Sequence, residues 1–474
     1  MTPQQTRIVI VGAGFSGLAT AVELQERLPE AEITLQEMQQ RADGMVWSEQ
    51  VGDYLVEHGP ITFPGNRLGI MKLCQKLGLT PQLRKVGDAF QVRWILHHDG
   101  VLHRIPGTVG AALTSPLFGM GSAYRIVTER LRPSGAHKNK LDESVLQFAE
   151  RRFGQELGQI VADAAATEVF AGDGKAISVR SGFPLYARAE QEHGSVLGGL
   201  PKVRQAEREA GLKAKVSLEA DPTVHYGLDG GLRTLVTALE KRLRRPVSFG
   251  TGVQSIQKAA QGMPHRWLVR CNNESTLPAD CVILTCPAYK QAGIVAEFDA
   301  ELADQLLNIP YAGIVRLVLG YLRSHVPDVA ESHSLLVPQR FKKDILRIAF
   351  PSSYLEKRAP ADIVQFHILM GGWARKEMLS WEDDTLIVAA RRELRNLLRI
   401  TKPPKFFHLL RQPRSMPQYT LGHSGRVEKI EERVETHRGL FLGGIALHGI
   451  TLTEAASTAE RVARRVRDEV KSPL

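Results

Sequence analysis

The first stretch with a readable pattern is RIVIV at 7–11, an apolar and mostly β-branched run of the kind that forms a strand buried on both faces of a parallel sheet. Glycines follow it at 12, 14 and 17, and apolar residues then recur at helical spacing over 18–28. A second short strand is predicted over 32–35. Residues 111–215 read as helical, with a polar basic linker at 204–215. Further on, 315–321, 345–350 and 364–370 have the composition of strands, and 384–398 and 453–470 the spacing of helices. Strand-like runs alternating with helices predict an α/β protein, and 474 residues suggest two or three domains.

Composition narrows the class. With 43 % hydrophobic and 24 % charged residues the chain is neither disordered nor collagen-like nor a multispanning membrane protein. Its four cysteines have no C-x-x-C spacing, which argues against a disulfide scaffold and a thiolate metal site and for a reduced, intracellular chain. The net charge of +10 is uneven: residues 1–60 hold 3 Lys/Arg against 9 Asp/Glu, whereas Arg84 to Lys140 holds nine basic residues against three acidic ones, with His97, His98, His103 and His137 besides. Such an excess attracts a polycarboxylate substrate, an anionic membrane surface or nucleic acid. No nucleic-acid module is recognisable, and no nucleic-acid partner is expected. The start MTPQQTR has no apolar signal region. The uncharged stretch 107–124 is too polar and interrupted to span a bilayer; it suits insertion into a membrane surface beside Arg125, Arg130 and Arg132, and equally a cavity wall or buried core.

The glycines supply the first chemistry. Gly12, Ala13, Gly14, Phe15, Ser16 and Gly17 form G-x-G-x-x-G between a strand and a helix: Gly12 for the tight turn, Gly14 for close approach to a pyrophosphate, Gly17 for helix packing on the strand. The helix N-terminus offers N–H groups to the phosphates. Glu37 stands 20 residues beyond Gly17, where a carboxylate accepts hydrogen bonds from ribose hydroxyls. FAD and NAD share this fingerprint.

The next segments decide between them. Gln39-Gln40-Arg41-Ala42-Asp43-Gly44 and Glu57-His58-Gly59-Pro60 resemble the R-x-G-G and E-x-G-P segments of the flavin-containing amine oxidase superfamily, which implies FAD. LDESVLQFAERRF (141–153), VFAGDGKAISVRSGFP (169–184), Glu192-His193-Gly194-Ser195, Gly230-Gly231-Leu232, Thr285-Cys286-Pro287, Ile309-Pro310-Tyr311-Ala312, Pro417-Gln418-Tyr419 with Gly422-His423, and 439–449 follow in one order. Together they resemble the oxygen-dependent, FAD-containing protoporphyrinogen/coproporphyrinogen III oxidases over nearly the whole chain, as a divergent member.

That resemblance implies a doubly wound, Rossmann-like FAD-binding domain (1–90, 220–300 and 410–474), with the 453–470 helix against the isoalloxazine end. It also implies an inserted α+β substrate domain (91–110 and 300–410) and a mostly helical, membrane-surface domain (111–215). It places FAD on the glycine loop, Glu37, Met38, Arg41, Gly44, Gly59, Pro60, Val253, Gly443, Gly444, Gly449 and Ile450. Arg93 occupies the place of a residue that grips a substrate carboxylate, and Glu168, Val169 and Phe170 lie by the substrate ring; Leu335, Leu336, Val337 and Ile348 are further candidates for its faces. The implied activity is oxidation of coproporphyrinogen III or protoporphyrinogen IX to the porphyrin in haem biosynthesis, in three two-electron steps with O2 as acceptor and no obligatory general base; the basic balance leans toward the tetracarboxylate. A cytoplasmic location, peripheral contact with the membrane's inner face and hand-off to the next haem-synthesis enzyme go with it.

Three positions depart from the family pattern: Asp43 replaces the first paired glycine, Glu168 replaces a glycine, and His448–Thr453 lacks a glycine between Ile450 and Leu452. Glu168 either pairs with an arginine such as Arg180 or enters the cavity. Two rival readings stay open, another flavin amine oxidase-type oxidoreductase and a non-catalytic flavin- or porphyrin-binding paralogue. His423 and His448 read as loop residues near the flavin, with no metal-ligand spacing.

Overall fold

Alternation along the first strand builds two cores. In Arg7–Val11, Ile8 and Ile10 point into one hydrophobic cluster and Val9 and Val11 into another on the opposite face. The strand is central in a parallel sheet ordered Leu440–Leu442, Cys281–Leu284, Arg7–Val11, Glu32–Gln36. The helices Phe15–Arg27, Arg233–Lys241 and Leu452–Lys471 cover the first face. The antiparallel strands Val253–Lys258, Trp267–Cys271 and Thr276–Ala279 and the helices Ala288–Val295, Ala300–Leu307 and His423–Glu435 cover the second. This is a doubly wound α/β layer arrangement. The computed structural model describes residues 5–42, 44–132, 134, 142–219, 221 and 223–472; Asp43, His137, Lys138, Lys140 and Leu141 lie outside them.

A second sheet has the order Phe406–Pro417, Tyr311–Leu322, Ile363–Gly371, Ile345–Ala349, Ser334–Leu336, Arg93–Leu96, Leu102–Arg104. Val315, Leu317, Leu319, Leu335, Val337, Ile348 and Phe366 put one face against the helix Asp383–Leu398. The Phe406–Pro417 strand runs across residue 410, and Ala300–Leu307 packs into the core of the first sheet.

The third layer consists of the helices Val145–Phe153, Gln155–Phe170, Pro184–His193 and Val196–Lys213. Ser144 caps the first through a capping box with Gln147. Asp142 ties it to the 417–423 segment by accepting from the Gly422 N–H (2.8 Å) and the Ser178 hydroxyl (2.7 Å). The basic linker expected at 204–215 is instead the second half of the helix Val196–Lys213: its charges are the solvent face of an amphipathic helix that buries Val203 and Gly211, and the chain turns only at Lys215, with φ +55°. Among the described residues no helix is long and apolar enough to cross a membrane.

Candidate active site

The glycine loop, the end of the second strand and the turn before the last helix enclose a cleft of about 380 Å³. Gly12 has φ +101°, and a Cβ on Gly17 would stand 1.9 Å from the Gly12 carbonyl oxygen, so the third glycine is required by helix packing. A Cβ on Gly14 would meet Gly44 at 3.6 Å; these two glycines leave a backbone-walled cradle. Gly14 is the N-cap of Phe15–Arg27, whose first turn holds no acid and receives no side-chain cap. Uncapped N–H groups at the positive end of a helix are the chemistry that a pyrophosphate needs. Phe15 and Ser16 line the cleft. Glu37 accepts from the Ala13 N–H (2.7 Å) and the Gln39 N–H (2.9 Å), which fixes its carboxylate at the cleft edge beside Met38 and Val253. These residues fit FAD.

The remaining predicted cofactor residues divide into lining and support. Gly44, Pro60, Gly444 (φ +88°) and Ile450 line the cleft. Gly59 supports it: a Cβ there would stand 1.8 Å from the Met45 carbonyl oxygen. Gly443 donates to the Leu284 carbonyl at 2.8 Å, joining the turn to the sheet. Gly449 (φ +86°) leaves room for Glu454, which a Cβ would meet at 2.2 Å. The Arg41 guanidinium lies 4.1 Å from the Trp47 ring centre, opposite Arg233 at 3.7 Å. The missing glycine between Ile450 and Leu452 has a simple resolution. Thr451 there has φ −81° and caps the last helix with its hydroxyl in a capping box with Glu454. Sequence reasoning missed Tyr289, Lys290, Arg414 and Ser415, which also line the cleft. Arg414 lies 5.2 Å over Tyr289, a pairing across 125 residues with no local signal.

The second sheet reaches the cleft at Tyr311, Arg414 and Ser415, and its other face runs on from there. Register places Ile95, Leu336, Arg347, Leu369, Arg316 and Leu410 in one cross-strand row, and Arg93, Ser334, Ala349, His367, Val318 and His408 in the next. Arg93 stands on this face as expected, 5.3 Å over Phe90. Glu168 reaches the same face from the helix Gln155–Phe170 and pairs with Arg347, not with Arg180; its second oxygen is buried without a partner. Val169 packs toward the helical core. Phe170 is a correction: fully buried, it packs on Phe183 and Tyr419 because the helix phase that aims Glu168 at the sheet turns Phe170 into the helical core. Leu335, Val337 and Ile348 are likewise core on the far face, and of the four sheet candidates Leu336 alone is on the other face, where it is buried with Ile95 against Leu117 and Ile160.

Electrostatically the face is cationic. Burial and the neighbouring Arg347 lower the Arg316 guanidinium to about 10, which leaves it charged at neutral pH. Burial depresses His225, His333 and His367, and nearby arginines add to the shift, so these rings are neutral. His423 is the first residue of a helix rather than a loop residue, buried and stacked on Tyr419 at 4.1 Å; His448 is in the turn and bonds Glu431 at 2.8 Å. Two groups the sequence did not single out, Glu49–His58–His408 and His97–Asp99–His103, bring their donor atoms within 4.8 Å of one another.

Comparison with known proteins agrees with this geometry. The family described as flavin containing amine oxidoreductase matches residues 15–467. Protoporphyrinogen oxidase of Bos taurus is 30 % identical over 480 residues, covering 97 % of this chain and 98 % of that protein. Coproporphyrinogen III oxidase of Bacillus subtilis (strain 168) is 25 % identical over 465 residues, covering 96 % of each. Among solved structures, a chain from Exiguobacterium sp. 255-15, provisionally named a protoporphyrinogen oxidase, superposes with a TM-score of 0.79 at 21 % identity over 98 % of this chain and 99 % of that one. A reduced UDP-galactopyranose mutase reaches 0.68 at 14 % identity over 99 % and 98 %. These two show a shared fold.

Proposed function

Since the chain belongs to the flavin-containing amine oxidoreductases, and among them to the protoporphyrinogen/coproporphyrinogen oxidase family, it is an FAD-dependent oxidoreductase, and we propose that it oxidises a porphyrinogen to the porphyrin with O2 as acceptor. Coproporphyrinogen III and protoporphyrinogen IX are the two substrates that its named relatives suggest. The observation that carries the reading is the sheet face that meets the flavin cleft at Tyr311, Arg414 and Ser415: it alternates the apolar Leu369 and Leu410 with the guanidinium groups of Arg347 and Arg316 and carries Arg93 further along, which suits a flat tetrapyrrole with peripheral carboxylates.

FAD supplies the two-electron acceptor when bound. The chain's part is to hold and orient. Arg93 pairs a substrate carboxylate through its planar guanidinium, a contact worth about 1.5–3 kcal/mol. The neutral His225, His333 and His367 add hydrogen-bonding capacity without adding positive charge. The proton lost from a pyrrole nitrogen needs no dedicated base in this scheme. Product then passes to the next enzyme of haem synthesis.

The reading includes a peripheral membrane contact. Met120, Tyr124, Val127 and Leu131 are largely exposed on 120–131, beside Arg125, Arg130 and Arg132 and next to an apolar cavity of about 320 Å³ between the helices. One observation favours a second reading, a binding paralogue without turnover: the Glu168–Arg347 pair lies on that sheet face itself.

The test is to incubate the FAD-loaded protein in air with each porphyrinogen and follow porphyrin fluorescence and peroxide. Porphyrin formation is expected, with Arg93→Leu raising KM about tenfold, the equivalent of about 1.4 kcal/mol. Bound flavin without porphyrin formation supports the paralogue, and oxidation of an amine instead supports the other oxidase type.

A further inference from the structure

We infer that Arg316 is a carboxylate receptor built into the floor of the substrate site, and that together with Arg93 it selects a tetrapyrrole bearing carboxylates on opposite edges. This deepens the porphyrinogen reading and rests on it.

Arg316 sits in the middle of Tyr311–Leu322, a strand whose alternate residues Val315 and Leu317 are buried in the sheet's far core. Its side chain is therefore on the site face, 8 % exposed. Among the described residues no side chain or backbone group bonds or pairs with this guanidinium, and its Nε is buried with no acceptor. The acid that acts on it electrostatically, Glu57, is already committed to Arg358, Ser48 and the Leu232 N–H. A buried cation without a counter-charge is costly, and an arriving anion relieves that cost. The neighbourhood supplies cations and neutral polar groups: Arg347 across Leu369 in the same row, neutral His367 in the next, and Gln412, whose Oε1 is buried without a partner.

Placement sets the substrate class. Arg347 is already paired with Glu168. Arg93 has its guanidinium over Phe90 and, among the described residues, no acidic partner. Of the three arginines Arg93, Arg347 and Arg316 on this face, the two without a counter-charge among the described residues are thus Arg93 and Arg316, on strands four steps apart in the sheet. At about 4.8 Å per step their backbones are roughly 19 Å apart, with the Glu168–Arg347 pair on the face between them. Protoporphyrin-type rings carry two carboxylates on one edge and can satisfy one end. Coproporphyrin-type rings carry four, distributed around the ring, and can satisfy both.

The test uses the FAD-loaded protein and redox-inert ligands: coproporphyrin III, its tetramethyl ester and protoporphyrin IX, with affinity read from fluorescence quenching. Coproporphyrin III is expected to bind at least tenfold more tightly than protoporphyrin IX. Arg316→Gln should weaken coproporphyrin III at least tenfold and leave the ester and protoporphyrin IX within twofold, and Arg316→Lys should recover part of the loss. An unchanged coproporphyrin III affinity, or equal weakening of acid and ester, overturns the inference. A second arm uses propionate alone, which should raise the melting temperature of the wild type and not of Arg316→Gln. If wild type binds no porphyrin but shows this propionate effect, the receptor stands and the porphyrinogen reading falls; if it shows neither, both fall.

Discussion

Arg152 and Glu129 are both fully buried, and Arg152 Nε reaches Glu129 Oε1 at 2.8 Å. Glu129 also accepts from the Val196 N–H (2.9 Å) and the Ser195 hydroxyl (2.5 Å), so the E-H-G-S turn noted in the sequence exists to satisfy a buried carboxylate. Removing one partner strands the other charge. Arg152→Met should lose about 3–5 kcal/mol in denaturant unfolding, and a loss below about 1 kcal/mol would show that the network is dispensable. His423 makes the opposite kind of demand. Burial depresses its ring to about 4, against about 6.5 in an unfolded chain. The unfolded state therefore takes up the proton first, and stability present above pH 6.5 is lost as pH falls from about 6.5 to about 4. His423→Phe keeps the stack on Tyr419 and cannot titrate, so its stability relative to wild type should rise between pH 7 and pH 5; a constant difference would refute the assignment.

The element that matters most is the strand–turn–helix at the start of the chain. Its function depends on backbone that no side chain obstructs. Gly17→Ala places a methyl group 1.9 Å from the Gly12 carbonyl oxygen, and the helix must shift to admit it. FAD content of the purified variant should fall at least tenfold on release and quantification of flavin, while circular dichroism stays near wild type. This element was fully legible, because its strand, three glycines and helix are contiguous and each has a local physical reason. Element limits were less so. The basic run at 204–215 looked like a linker because polarity alone does not distinguish a loop from the wet side of a helix.

At the scale of the whole molecule, the asymmetry of charge gains a location. Of the basic segment, Arg125, Arg130 and Arg132 lie beside the exposed Met120 and Leu131, next to the helical core. Anionic phospholipid vesicles should co-sediment the protein in a salt-dependent way, and Leu131→Ser with Met120→Ser should reduce the bound fraction several-fold; equal binding by the double variant would exclude this surface.

What the sequence by itself determined is whatever rests on contiguous residues. The glycine loop, the cleft-lining carboxylate Glu37, the ordered family motifs and the α/β layering are of this kind, since hydrophobic period and turn chemistry act over a few positions. What only the tertiary structure decided is the identity of the charges that meet. Arg347, 179 residues from Glu168, is its partner; Phe170 faces the core and Glu168, two residues before it, faces the site; Arg316 alternates with core residues in a strand that reads as plain hydrophobic sheet. Strand order and register bring Arg93, Arg347 and Arg316 onto one face from three separate strands. Electrostatics act through space, and strand pairing across hundreds of residues leaves no local trace in the chain.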